Sequence, residues 1–410
     1  MRLRAMLSVV IGLVIAFVPS VDSILYVQQN EYRFYDQLDG LWTFVREPSN
    51  SIGIGLLREW HLFDLSKFNN ATVMPVPAAY NDLGADAETR DHVGWVWYQT
   101  KIWTSERDSA YRHFLRFSSV QYYAIVFVNN KLIGSHEGGH LPFEFEVTKT
   151  LLLGRENRIT VAVNNTLSHE TIPPGEFVYL QRQRRGFKQY PDGFFKQIPD
   201  FDFFNYAGIL RPVYLTKKPA TFIQDIVIEA FADGTLLYDI KTNSPTKQSN
   251  SISSNSQEVV VATMYDENDQ VIFITRGVHF RGRIEGIRLW WPRGMGDPIL
   301  YLLEVRILTD GTATDAYRIK FGFRTVSFTN DQLFINGKPF YCRGFGMHED
   351  FELIGRGYSA VVMTKDFNML EWMNANCYRT SHYPYSEERA LEADRRGFAV
   401  ITETPGVGLL

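Results

Sequence analysis

The chain has 410 residues, and 42 Lys and Arg against 46 Asp and Glu leave a formal net charge of -4, a balance that argues against nucleic acid as the partner. Hydrophobic residues make up 45% and charged residues 21%, which supplies apolar material for several cores and excludes a disordered chain. A chain this long divides into about two to four domains.

At the N-terminus, Met1–Arg4 carries two arginines, Met6–Val18 is an apolar run, and Pro19-Ser20 or Asp22-Ser23 offers small-residue cleavage positions. This is the pattern of a secretory signal over residues 1–23, with the mature chain starting near Val21 or Ile24. The run falls short of the roughly 18 apolar residues of a membrane span, so no stable membrane anchor is expected. On that route the sequons Asn70-Ala71-Thr72 and Asn164-Asn165-Thr166 make Asn70 and Asn164 candidate glycosylation sites.

From about Leu25 to Lys217 short alternating segments predict a β-sandwich: Gly94–Trp103, Tyr111–Phe117, Tyr122–Val128 and Asn157–Val163, with a tight turn at Asn129-Asn130. Ile223–Phe231, Glu258–Met264 and Tyr301–Ile307 predict a second sandwich. The Ser/Asn/Gln-rich stretch Asn243–Gln257 between them reads as a mobile loop. From about Phe334 the period changes. Pro339–Gly344, Cys377–Thr380 and Phe398–Thr402 read as strands, and Thr364–Asn374 and Ser386–Arg396 as helices, which is the start of a parallel α/β unit. A (β/α)8 barrel takes roughly 250 residues and only about 80 follow the second sandwich, so the barrel is expected to be unfinished.

Three local signals have bland readings. His136-Glu137-Gly138-Gly139-His140 spells the HExxH of zinc proteases, but its paired glycines disfavour the helix that motif requires, so a sandwich loop is expected. Gly53-Ile54-Gly55 does not complete a dinucleotide fingerprint, because Arg58 stands where the third glycine belongs. The basic run Arg182–Lys188 reads as a solvated loop. Cys342 and Cys377 are the two cysteines. Each sits in an apolar strand-like run, and both are expected as buried free thiols.

The last third carries the informative landmarks. Leu289-Trp290-Trp291-Pro292, Phe321–Thr325 (FGFRT), Ile335–Phe340 (INGKPF), His348-Glu349-Asp350 and Asn374–Pro384 (NANCYRTSHYP) occur in the order found in glycoside hydrolase family 2, that of β-galactosidases and β-glucuronidases. His136–Glu144 (HEGGHLPFE), NNT followed by PPG within Asn164–Gly175, and Phe201–Arg211 (FDFFNYAGILR) extend the match through the first sandwich. The chain resembles the β-glucuronidase branch of that family over essentially its whole mature length. Phe201–Gly208 and Thr404–Gly408 favour that branch, since the galactosidase branch places acidic and histidine metal ligands after this strand.

The resemblance implies a multidomain β plus α/β protein: a jelly-roll sugar-binding sandwich over 24–218, an immunoglobulin-like sandwich over 219–326, and over 327–410 a (β/α)8 barrel incomplete after about its third strand. It implies retaining hydrolysis of terminal β-D-glucuronides in glycoconjugate or glycosaminoglycan breakdown, with no cofactor or metal. It further implies a carbohydrate partner, a secreted or lysosomal location, and homo-oligomers among full-length members. Asp202 would reach the sugar hydroxyls from the sandwich loop, and His348 from the loop after the first barrel strand. Arg379 and His382 follow the second strand and Glu403 closes the third; both a structural network and direct substrate contact are open for them. Gly346-Met347 stands where an Asn and a basic residue are usual, Arg389-Ala390 replaces an apolar pair, and Thr402 replaces an aspartate.

Retaining glycosidases use two carboxyl groups about 5–5.5 Å apart. In the family both come from later barrel segments, so no catalytic residue is assigned before Leu410 and this polypeptide alone is expected to be inactive. The alternatives are a secreted non-catalytic carbohydrate-binding protein, and a β-galactosidase or β-mannosidase type of relative.

Overall fold

The computed structural model describes residues 24–49, 51–180, 183–184, 187–188, 194–199, 201–243 and 258–406. The signal segment 1–23, the loop expected over 243–257 apart from Asn243, and the end of the TPGVG landmark lie outside the described residues. The same holds for most of the basic run 182–188, of which only the short strands Gln183–Arg184 and Phe187–Lys188 are described.

Alternating side chains put the apolar residues of the first sandwich between two antiparallel sheets. One sheet holds six strands in the order Thr72–Val76, Gly40–Arg46, Trp95–Trp103, Glu156–Asn164, Tyr123–Val128, Lys131–Glu137. The other holds Phe34–Gln37, Val213–Lys218, Arg112–Phe117 and Phe143–Glu146. Trp42, Phe44, Val96, Tyr98, Leu115, Phe117, Val126 and Ile159 fill the space between. Asn129 and Asn130 take φ of 49° and 69°, the left-handed pair that a two-residue hairpin turn requires. One strand departs from simple alternation. Trp95 and Trp97, on the outer face of Trp95–Trp103, are also buried, because Leu65, Leu56 and Trp60 of the short helical segments cover them. Glu47 satisfies this second core by accepting from Trp97 Nε1 at 2.8 Å and from the backbone N–H of Gly55 at 2.9 Å.

The second sandwich pairs Phe222–Ala230, Thr235–Asn243 and His279–Arg283 against Val271–Arg276, Glu258–Tyr265, Tyr301–Thr309 and Thr312–Phe321. Its core is Ile223, Ile226, Leu236, Tyr238, Met264, Leu303, Val305 and Phe323. Residues near the start of the described chain lie along it: Gln28 Nε2 donates to the carbonyl of Arg318 at 2.8 Å, and Tyr317 Oη to that of Tyr26 at 3.0 Å.

The α/β region begins later than its sequence suggests. Lys338–Phe340 belongs to an antiparallel meander with Val326–Phe328 and Leu333–Ile335, not to the barrel. The first parallel strand is Gly344–Met347, followed by helix Ala360–Trp372, strand Cys377–Thr380, helix Glu387–Arg396 and strand Ala399–Ile401. The reading over 339–344 merged two strands because the turn between them carries no glycine or proline before Gly344. Ser359 caps the first helix by accepting from the Val362 N–H at 3.4 Å. The second helix has Glu387 and Glu388 in its first turn, Arg395 and Arg396 in its last, and ends at Gly397 with φ 76°. Three adjacent parallel strands form an arc, not a closed barrel. Phe345, Trp372 and Ile401 stay exposed on it.

Cys342 and Cys377 are not free thiols; they form a disulfide with Cα atoms 5.6 Å apart. Parallel pairing sets Gly344 opposite Cys377, so Cys342, two residues earlier, arrives beside it. Cys377 is buried as expected, whereas Cys342 is exposed. The bridge closes a segment with sequence separation 35, for which chain-entropy arguments give roughly 3–4 kcal/mol. Replacing both cysteines by alanine is expected to lower the urea midpoint for unfolding of the barrel strands accordingly. An unchanged midpoint would show that the bridge contributes nothing.

Candidate functional site

Two pieces of chain far apart in sequence meet at the C-terminal ends of the parallel strands, the end at which barrels of this type place their chemistry. From the first sandwich comes the loop Phe201–Tyr206. From the α/β region come the segment after Gly344–Met347 and the turn after Cys377–Thr380, whose Ser381–His382 peptide is cis.

Aromatic packing holds the sandwich loop in place. Phe201 stacks on Phe203 with centroids 5.3 Å apart, and Phe203 meets the Tyr383 ring edge-on at 5.9 Å. Tyr383 is fully buried and stacks on His140 at 5.1 Å. The buried Arg356 lies over both rings, 4.0 Å from the Tyr383 centroid and 4.5 Å from that of Phe203, and donates to the carbonyl of Phe204 at 2.8 Å. His140 is thus a packing residue. Burial, then the nearby Arg356 and Arg211 charges, hold its imidazole well below the ordinary histidine range. His136 and Glu137 end the strand Lys131–Glu137, His136 stacks on Phe143, and Gly138 and Gly139 have φ of 134° and 76°. The HExxH spelling is therefore a turn, as its glycines predict.

Beneath this layer Glu349 joins the two pieces. Its carboxylate lies 2.9 Å from Arg211 Nη2, accepts from the Ser386 N–H at 3.0 Å and lies 3.6 Å from Arg389 Nε. Arg211 also donates to the carbonyls of His140 and Pro384, each at 2.9 Å. Burial pushes the Glu349 carboxyl up, but Arg211, Arg389 and Ser386 outweigh it and hold it below the usual range. Arg389, which stands where the family pattern has an apolar residue, is accommodated by Asp366 at 2.9 Å. Arg211, Arg356 and Tyr383 are not marked as site residues by the sequence, whereas Arg389 is noted there as a departure from the resembled pattern.

On this platform the five site residues predicted from sequence come together. Asp202 has an exposed side chain, and its Oδ2 lies 3.4 Å from His348 Nε2 and 3.9 Å from His382 Nε2. On its other side, His382 Nδ1 is 3.0 Å from Glu403 Oε2 and 3.0 Å from Arg379 Nη2. It donates to the first or accepts from the second according to which ring nitrogen carries the proton. Arg379 Nε donates to Glu403 Oε1, and the Glu403 N–H donates to Thr380 Oγ1 at 3.0 Å. Burial raises the Glu403 carboxyl, and the hydrogen bonds from Arg379 and His382 more than reverse this, leaving it below the ordinary range. Arg379 and Glu403 thus form a network, while Asp202, His348 and His382 lie together at the solvent-facing side of it.

Among the other candidates, Asn70 is exposed with Nδ2 donating to the Arg46 carbonyl at 3.0 Å. Asn164 is half-buried at a strand end, and its Oδ1 accepts from the Thr166 N–H at 2.9 Å. Among the described residues no helix is long and apolar enough to cross a membrane.

Comparison with known proteins accounts for nearly all of this chain. Residues 35–219 match the sugar binding domain of glycosyl hydrolases family 2, residues 221–324 the central model of that family, and residues 326–410 its TIM barrel domain. The chain is 39% identical over 399 residues to the β-glucuronidase of Canis lupus familiaris and 38% identical over 398 residues to that of Mus musculus. In both cases 94% of this chain is covered and 59% of the relative. A β-glucuronidase from an uncultured Clostridium superposes with a TM-score of 0.79 at 36% identity, over 94% of this chain and 61% of that one. The chain therefore spans about three fifths of the relatives it matches. It belongs to glycosyl hydrolase family 2, and the members it resembles are β-glucuronidases.

Proposed function

We propose that these residues are the sugar-positioning part of a retaining β-glucuronidase acting on terminal β-D-glucuronides, with domains over 24–218, 219–326 and 327–410. The observation that carries this reading is the convergence of Asp202 with His348 and His382 in one cleft. A carboxylate accepts from two sugar hydroxyls and an imidazole donates to one, which fixes the ring before chemistry. Arg379 and Glu403 act as positioning residues that hold His382.

Bond cleavage needs a second element. The general acid of such a site must keep its proton near neutral pH, which takes an upward pKa shift. Glu349 and Glu403 are both held below the ordinary range, and Glu349 is buried against two arginines, so neither suits the role. We assign the acid/base and nucleophile to sequence beyond Leu410. The secretory route, toward the lysosome or the outside, is supported by the Cys342–Cys377 bridge, since such bonds persist in oxidising compartments. Asn70 and Asn164 are the proposed glycan sites, Asn70 being the more open.

The test is to assay a fluorogenic β-glucuronide with the purified 410-residue chain and with the same chain extended by the downstream reading frame. The short form is expected to match a mock preparation and the extended form to turn over. Turnover by the short form would sink the assignment of the catalytic pair, and an extension with no activity would favour a carbohydrate-binding protein.

A further inference from the structure

The cleft carries a feature that sugar positioning does not require. Asp202 Oδ2, His348 Nε2 and His382 Nε2 all lie within 4.8 Å of one another. Two of the three separations are 3.4 and 3.9 Å. Tetrahedral zinc with bonds near 2.0–2.1 Å needs its ligand atoms about 3.4 Å apart. One edge already has that length and another is half an ångström too long; the third, between the two histidine nitrogens, is at most 4.8 Å and shortens when an ion is held. The second layer is also that of a metal centre. A metal-bound histidine needs its other ring nitrogen to donate to a carboxylate or carbonyl, which fixes the tautomer and raises ligand basicity. Glu403 Oε2 is the acceptor at 3.0 Å from His382 Nδ1, and Arg379 and the Thr380 hydroxyl hold Glu403 in turn. With that proton on Nδ1, Nε2 keeps its lone pair for an ion, with Asp202 Oδ2 3.9 Å away.

The geometry points to a binding site for one borderline divalent cation of the zinc class, with Asp202, His348 and His382 as ligands and Glu403 in support. Two imidazoles and one carboxylate select zinc, cobalt or copper over magnesium and calcium, which take all-oxygen shells. The fourth position faces the cleft and takes water or an anion. An ion there excludes a sugar from the same side chains, a consequence that rests on the proposed function; the ion site itself does not.

Cobalt(II) titrated into the metal-free 410-residue chain reports the site directly, because tetrahedral cobalt absorbs strongly in the visible and zinc displaces it. One equivalent is expected to give that band and one equivalent of zinc to abolish it, while excess magnesium leaves it intact. His348→Ala and His382→Ala are expected to remove the band. Glu403→Gln, which touches no metal, should weaken cobalt binding by about 10–100-fold. Asp202→Asn alters an exposed side chain, so the fold survives, and it too should weaken binding by at least about tenfold. His136→Ala serves as the control and should change nothing. The proposal fails if no band forms, or if the band persists in Asp202→Asn and Glu403→Gln at unchanged affinity.

Discussion

Replacing Glu349 by alanine is expected to destabilise the α/β region by about 3–5 kcal/mol, because it leaves buried cations without their anion. Arg211 and Arg389 are both buried against this carboxylate. Arg389 keeps Asp366, whereas Arg211 is left with two backbone carbonyls. Urea unfolding read by hydrogen exchange of the three parallel strands measures the loss. A change under about 1 kcal/mol would mean that water reaches these charges and replaces the glutamate. The same residue sets an acid limit. Its carboxyl is held below the ordinary value of 4.5 in the folded protein, so the unfolded chain takes up the proton first as pH falls. Its contribution is complete above about 4.5 and is lost as pH drops through the folded value. Glu349→Gln should therefore flatten the acid side of the stability profile while costing most at neutral pH. Pairing it with Arg389→Leu, which removes one of the two stranded charges, should recover part of the loss.

Asp315→Ala should have an effect of similar size, about 3–5 kcal/mol, in the second sandwich. Asp315 is fully buried and receives Arg33 Nε at 2.8 Å and the Ile223 N–H at 2.7 Å. Arg33, itself buried, also donates to the Ile223 carbonyl at 2.7 Å. One carboxylate thus anchors both the first strand of the sandwich and a segment nearly 300 residues away in sequence, and its loss strands a guanidinium and an amide together. Asp315→Asn keeps the side-chain volume and one of the two acceptor oxygens without the charge, and should cost less. Equal losses for the two variants would assign the effect to the charge alone. Urea unfolding followed by hydrogen exchange of the strands of the second sandwich gives the comparison.

Much of the architecture was legible before the structure because alternation is local. The strand around Glu258–Met264 announces its buried face, and the paired asparagines at 129 and 130 announce their turn. The meeting of Asp202 with His348 was not legible in that way. No periodicity links two positions 146 residues apart, and the expectation came from the family resemblance. The disulfide escaped the reading because each cysteine looked like an ordinary strand residue. What joins them is the register of two parallel strands, which is set by the helix between them. The arginine layer under the site was equally hidden. Buried Arg211 and Arg356 have the same local sequence appearance as exposed arginines, and only packing across domains distinguishes them.

Arg356 bears on the order in which the molecule can mature. The sandwich loop with Asp202 is made early in synthesis, yet the cation that grips Phe203 and Phe204 comes from residue 356, and Tyr383, the other ring it covers, comes later still. A nascent jelly roll emerging at the usual pace of about 5–20 residues per second therefore waits, its loop undocked, until the second inner strand has left the ribosome. The sugar positioning proposed for Asp202 belongs to the assembled junction, and an isolated jelly roll should lack it.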